Sequence, residues 1–123
     1  MRLLVVDDNH INRMVVLALL RKFNFEIVTA NNGIEALELY KSDKFDCVLM
    51  DIHMPKMDGI TSTMLIREYE KENNLNQTPI LALTASHPEE DKSKCLDAGM
   101  NDFIRKPVTQ GELSRIISIF VDN

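Results

Sequence analysis

The amino-acid sequence predicts an α/β domain built around a parallel sheet, and three observations carry that reading. Apolar strand-like runs and amphipathic helix-like segments alternate about every 25 residues, repeating a βα unit about five times. The central runs, Val48-Leu49-Met50 and Ile80-Leu81-Ala82-Leu83, are apolar without alternation, as strands covered on both faces are. The connections are short and no composition break marks a linker, so residues 1–123 read as a single domain.

Taken in order, Arg2 to Asp7 is a short apolar strand ending on Asp7-Asp8. Asn9 can then cap a helix running to about Phe23, on which Val15, Val16, Leu19, Leu20 and Phe23 recur at helical spacing and are expected to face the sheet. On the opposite face His10, Met14, Leu17 and Arg21 fall on one line. Two sizeable apolar groups would then meet solvent beside the strand ends, a candidate docking stripe. Phe25 to Ala30 is a second strand that ends on no reactive group, which suits a sheet edge, and Asn31-Asn32-Gly33 turns the chain into a helix with Ala36, Leu37 and Tyr40 inward.

Phe45 to Asp51 is the third strand, and Met54-Pro55 with Asp58-Gly59 cannot continue it. The helix after Gly59 is expected to turn Ile60, Met64 and Tyr69 inward and to fade into a polar connection, Glu70-Lys71-Glu72-Asn73-Asn74. Pro79 to Thr84 is the fourth strand. Pro88 with Glu89, Glu90 and Asp91 suits a first helical turn, since acids complement the helix dipole. That fourth helix holds few apolar residues, chiefly Cys95, Leu96 and Ala98, before Gly99 can end it in a left-handed conformation, so it is expected to be loosely attached. Asp102 to Arg105 is a short fifth strand reaching Lys106-Pro107, and Leu113, Ile116, Ile117 and Phe120 give the last helix its inward stripe.

The strand ends carry the chemistry. The first ends on Asp7 and Asp8, the third on Asp51, the fourth on Thr84 and the fifth on Lys106. A parallel sheet collects all of these at one edge, where diverging loops leave a crevice for ligands. Clustered carboxylates repel one another unless a cation is present, and oxygen ligands with no His or Cys pair favour a hard ion, Mg²⁺ rather than Ca²⁺. A metal beside a free carboxylate, a hydroxyl and an ammonium is the set of parts that phosphoryl transfer requires. Asp51 would be the nucleophile. Asp8 and Asp51 would hold Mg²⁺ directly, with Asp7 helping indirectly, and Thr84 and Lys106 would meet phosphoryl oxygens. Each residue alone has an ordinary explanation as a cap, a strand end or a surface lysine; one suitable group at the end of four separate strands does not arise easily by accident.

Composition narrows the classes. The chain is 45% hydrophobic and 27% charged, enough apolar mass for a packed core. A net charge of −5 with scattered Lys and Arg offers no footprint for nucleic acid. The longest apolar stretch, Met14 to Leu20, is far too short to span a bilayer and nothing at the N-terminus resembles a signal peptide, so a cytoplasmic domain without membrane contact is expected; in isolation it is expected to be a monomer. Cys47 and Cys95 have no metal-ligand spacing and read as reduced packing residues.

Val5-Val6-Asp7-Asp8-Asn9, Asp51 with Met54-Pro55-Lys56-Met57-Asp58-Gly59, Leu83-Thr84-Ala85 and Lys106-Pro107 together resemble a response-regulator receiver domain over nearly the whole chain. The resemblance implies a flavodoxin-like (βα)5 three-layer sandwich with strand order 2-1-3-4-5. It implies that Asp51 takes a phosphoryl group from a phosphohistidine on a partner, and that the domain catalyses its own phosphorylation and dephosphorylation. By the same resemblance the His53 backbone carbonyl is a further Mg²⁺ ligand, the Ala85 N–H helps Thr84 bind the phosphoryl group, and Lys106-Pro107 is a cis peptide. The switch would involve Thr84 and Phe103, a position where the family often has Tyr, and would remodel the surface of the fourth helix, fifth strand and fifth helix. His53 and Ser86 would flank the path of the hydrolytic water.

Asp7-Asp8-Asn9-His10-Ile11-Asn12-Arg13 further resembles the start of the first helix in receivers of hybrid histidine kinases and phosphorelays. Such domains pass phosphoryl groups to a histidine-phosphotransfer protein, and His10, Met14 and Leu17 are the candidate docking residues. With no effector segment after Asn123, the expectation is a receiver belonging to a longer hybrid kinase, cytosolic even where that kinase is membrane-bound; the alternative is a stand-alone response regulator. Three rivals fit less well. A haloacid-dehalogenase-type phosphatase wants a second Asp two residues beyond the nucleophile, where His53 stands. A flavin carrier wants a Gly, Ser or Thr cradle where Asp7-Asp8-Asn9 stands. A non-phosphorylated interaction scaffold has no need of the full residue set.

Overall fold

The computed structural model describes residues 1–84 and 88–120, with side chains for all of these except residues 88–90. The elements are β1 (Arg2–Val6), α1 (His10–Leu20) with a 3₁₀ turn over Arg21–Phe23, β2 (Glu26–Ala30), α2 (Gly33–Ser42), β3 (Cys47–Asp51), α3 (Gly59–Glu72), β4 (Ile80–Thr84), α4 (Pro88–Ala98), β5 (Asp102–Arg105) and α5 (Gln110–Phe120). All strand pairs are parallel and the order is β2-β1-β3-β4-β5, as the resemblance implies.

Strand alternation divides the core into two layers. Leu3, Val5, Cys47, Leu49, Leu81, Leu83 and Ile104 pack with α1 and α5 through Val16, Leu20, Leu113, Ile116 and Ile117. Leu4, Val6, Val48, Met50, Ile80 and Ala82 face the other way, onto Ala36 and Tyr40 of α2, Ile66 of α3 and Cys95 of α4. Strands β3 and β4 are buried along their whole length, which is why their sequences show no alternation. Strand β2 is buried only at Ala30, in keeping with its edge position.

Helix starts follow their caps. The side chains of Asn9, Asn32 and Asp58 accept the backbone N–H groups of Asn12, Glu35 and Thr61 at 3.0, 2.9 and 2.7 Å. Gly99, at φ +106°, follows the end of α4 in the left-handed region, as expected. The Lys106-Pro107 peptide is cis.

Some inward assignments are corrected. Val15 does not face the sheet; it is exposed, while its neighbour Val16 is buried, because the buried line of α1 runs through Val16 and Leu20 only. Met64 is 56% exposed. The inward line of α3 is Gly59, Ser62, Thr63, Ile66 and Glu70, a stripe of small and polar residues that hydrophobicity does not reveal, with Ile60 and Tyr69 half-buried beside it. Glu70 is therefore not part of a polar connection: it lies within α3, 1% exposed. Cys95 and Ala98 of α4 are buried and Leu96 is half exposed. Among the described residues, no helix is long and apolar enough to cross a membrane.

Candidate functional site

The register of the sheet brings the carboxylates together. Val6 of β1 pairs with Met50 of β3, so the next residues, Asp7 and Asp51, emerge side by side at the C-terminal edge. By alternation both follow the row that faces α1 and α5, and so does Lys106 after Ile104. The Lys106 Nζ lies 3.1 Å from Asp7 Oδ2 and 3.4 Å from Asp51 Oδ1. Asp7 is fixed locally: its Oδ1 accepts the Asn9 N–H at 2.9 Å, and its backbone carbonyl accepts from the Arg13 guanidinium at 2.7 Å. Asp7 and Asp51 are buried, whereas Asp8 is exposed at the rim.

Glycine allows the loop after β3 to fold onto this edge. The Gly59 N–H donates to the Ile52 carbonyl at 2.9 Å, and a Cβ on Gly59 would stand only 2.1 Å from the Asp51 backbone oxygen. The backbone carrying Asp51 and the start of α3 are thus in direct contact.

Asp7, Asp8 and Asp51 each offer one carboxylate oxygen, and these oxygens lie within 4.8 Å of one another. Three carboxylates face one ammonium, and the buried Asp7 Oδ2, although close to Lys106, receives no aligned hydrogen bond. An oxygen-only donor set with excess negative charge and an under-satisfied buried oxygen fits a hard divalent cation.

The same electrostatics raise the Asp51 carboxyl to about 6: burial is the main cause, Lys106 opposes it, and the Asp7 charge adds to it. A carboxyl in the unfolded chain releases its proton near about 4, so between about 4 and 6 the folded state holds the extra proton. Stability from this group is therefore present below that window and lost as pH rises through it. In chelator, the wild type is expected to lose on the order of 2 kcal/mol relative to Asp51→Asn between pH 4 and pH 7, read from paired urea titrations. Parallel curves for the two proteins would contradict the assignment.

Thr84 ends β4 at 1% exposure and by alternation faces the α3 and α4 side, opposite to Asp51. Phe103, half-buried, packs on that same side. His53 is exposed, with Nε2 3.9 Å from Asp91 Oδ2. Ala85 and Ser86 lie outside the described residues. The proposed docking line is only partly exposed: His10 and Met14 meet solvent, but Leu17 is half-buried. Ile11 and Val15, at 71% and 45% exposure, complete the apolar patch instead. A groove lined by Asn12, Val15, Lys106, Pro107 and Val108 adjoins it.

Sequence reasoning passed over two contributors. Arg13 was read only as part of a motif, and Asp91 only as a helix-dipole acid, yet Asp91 Oδ2 lies 3.5 Å from Thr84 Oγ1. Nothing short of the β4–α4 packing could have joined those two.

The family model for the response regulator receiver domain matches residues 3–118, and the chain belongs to that family. Among curated relatives, hybrid signal transduction histidine kinase M of Dictyostelium discoideum is 42% identical over 123 residues, covering 98% of this chain and 5% of its own length. The sensor protein GacS of Pseudomonas syringae pv. syringae is 39% identical over 116 residues, covering 94% of this chain and 13% of its own. The chain thus spans a small fraction of these kinases. Among solved structures, the receiver domain of a Pseudomonas aeruginosa sensor histidine kinase, with magnesium coordinated in its active site cleft, superposes with a TM-score of 0.88 at 35% identity, covering 99% of this chain and 98% of that one. A chain of the Saccharomyces cerevisiae co-crystal of the histidine phosphotransfer protein Ypd1 with the receiver domain of its response regulator Ssk1 gives 0.91 at 35% identity, over 98% of this chain and 88% of that one.

Proposed function

We propose that this receiver domain accepts a phosphoryl group on Asp51 from a phosphohistidine of a histidine kinase or histidine-phosphotransfer protein, as the receiver portion of a hybrid histidine kinase. The observation that carries the reading is the buried Asp51 carboxylate, 3.4 Å from the Lys106 ammonium and within 4.8 Å of the Asp7 and Asp8 oxygens. A carboxylate oxygen of Asp51 attacks phosphorus in line, the P–N bond breaks, and its electron pair returns to the departing imidazole. Lys106 pairs with one oxygen of the transferred group and the Thr84 hydroxyl donates to another, with the Ala85 N–H assisting.

Asp8, Asp51 and the His53 backbone carbonyl would hold Mg²⁺, with Asp7 orienting the set. When bound, the ion neutralises charge that builds on the phosphoryl oxygens. The patch of Ile11, Met14 and Val15 beside the Lys106-Pro107 groove is a docking surface for the donor or acceptor histidine protein, which must bring its imidazole to this edge. Phosphorylation then draws Thr84 toward Asp51 and Phe103 inward, altering the α4–β5–α5 surface.

Intact mass after incubation with acetyl phosphate tests the reading. Wild type with Mg²⁺ is expected to gain one phosphoryl adduct, lost on omitting Mg²⁺ and absent from Asp51→Asn. No adduct on folded wild type, or an adduct retained by Asp51→Asn, would overturn it.

A further inference from the structure

Asp91 is the one acid of α4 whose described contacts reach the ends of two central strands. Its Oδ2 lies 3.5 Å from Thr84 Oγ1 at the end of β4 and 3.9 Å from His53 Nε2 just beyond β3, and its side chain is only 18% exposed. The alternation of β4 explains the meeting. Ala82 faces α3 and α4, and Thr84, two residues on, faces the same way.

From this geometry we infer that Asp91 is a positioning residue for Thr84, holding its hydroxyl away from Asp51 until a phosphoryl group arrives. The inference rests on the phosphoacceptor reading above and deepens it. A threonine hydroxyl has a single proton to donate, so Thr84 cannot serve the Asp91 carboxylate and a phosphoryl oxygen at once. At 3.5 Å the bond to Asp91 is long, as suits a contact that must be surrendered. When Thr84 turns to the phosphoryl group, the contact between Asp91 of α4 and the end of β4 is lost. Little else described on α4 is deeply buried beyond Cys95 and Ala98, so the helix is then free to shift.

The test uses beryllofluoride, a tetrahedral stand-in for the phosphoryl group, with Mg²⁺, on the whole chain. Asp91→Asn, which keeps the shape and removes the charge, and Asp91→Ala are expected to bind beryllofluoride about fivefold tighter than wild type or better. Without beryllofluoride, amide exchange over residues 91–98 of Asp91→Ala should approach that of the beryllofluoride-bound wild type. In a Thr84→Val background the Asp91→Asn effect should vanish, because Asp91 acts through that hydroxyl. A purely structural role in α4 predicts equal affinity in wild type and both variants, and that result would overturn the inference while leaving the phosphoacceptor reading intact. If Asp51→Asn bound beryllofluoride as well as wild type, the phosphoacceptor reading would fall, and this inference with it.

Discussion

Replacing Glu70 with Ala is expected to lower the free energy of unfolding by about 3–5 kcal/mol, because it removes one member of a buried ion pair and strands the rest. Glu70 is 1% exposed. Its Oε1 accepts from the Arg67 guanidinium at 2.7 Å, and its Oε2 accepts from the Tyr40 hydroxyl and, at 2.9 Å, from the Thr78 N–H. Burial, and after it the hydrogen bond to Glu70, pushes the Tyr40 hydroxyl up to about 12, so in the native protein it stays protonated and donates to the carboxylate. Arg67 in turn donates to the Gly99 carbonyl at 2.9 Å and to Asn101 at 3.0 Å, so the loss would also slacken the end of α4. Glu70→Gln, which keeps an acceptor but not the charge, is expected to lose about half as much. Equilibrium urea unfolding measures both, and an alanine variant within about 1 kcal/mol of wild type would show that the network carries little net energy.

Gly59→Ala is expected to damage stability and chemistry together. A methyl group there would sit 2.1 Å from the Asp51 backbone oxygen and 2.8 Å from the Met50 side chain, distances that only a backbone shift can relieve. Overpacking of this kind costs about 1–3 kcal/mol or more. The shift also moves the Asp51 carboxylate, and if that group attacks phosphorus as proposed, a displacement of the order of 1 Å slows transfer by about 10²-fold. Urea unfolding and the rate of adduct formation from acetyl phosphate, followed by intact mass, read the two effects separately. A wild-type rate in the alanine variant would mean that the position of Asp51 does not depend on this contact.

The sheet was legible in the sequence because its central strands are apolar on both faces and each run stops on a polar residue. The strand order came only with the resemblance that Asp7, Asp51, Thr84 and Lys106 carry with their flanking residues, and the candidate site with the same set. What the sequence concealed was concealed by composition. Helix α3 buries Ser62, Thr63 and Glu70 and exposes Met64, the reverse of what hydrophobicity suggests; Ser62 and Glu70 are served by distant partners, such as the Gly33 carbonyl for the Ser62 hydroxyl and the Thr78 N–H for Glu70. Val15 was misplaced because the seven apolar residues in a row from Met14 to Leu20 cannot all reach one layer. Asp91 was hidden for a different reason: its partners, Thr84 and His53, lie on other elements, and local sequence carries no trace of them.

The two-sided sheet gives the site a rule about counting. Asp7, Asp51 and Lys106 meet because each stands an even number of positions beyond a residue of the α1-facing layer: Val5, Leu49 and Ile104. Thr84 stands two beyond Ala82 of the opposite layer. Side chains within these strands can be exchanged for others of similar bulk without disturbing that agreement. Adding or removing a single residue in β3 cannot, because it would send Asp51 through the plane of the sheet, away from Lys106 and onto the side where Asp91 already stands. Evolution along this chain is thus free to vary composition within the central strands far more readily than it can vary their length.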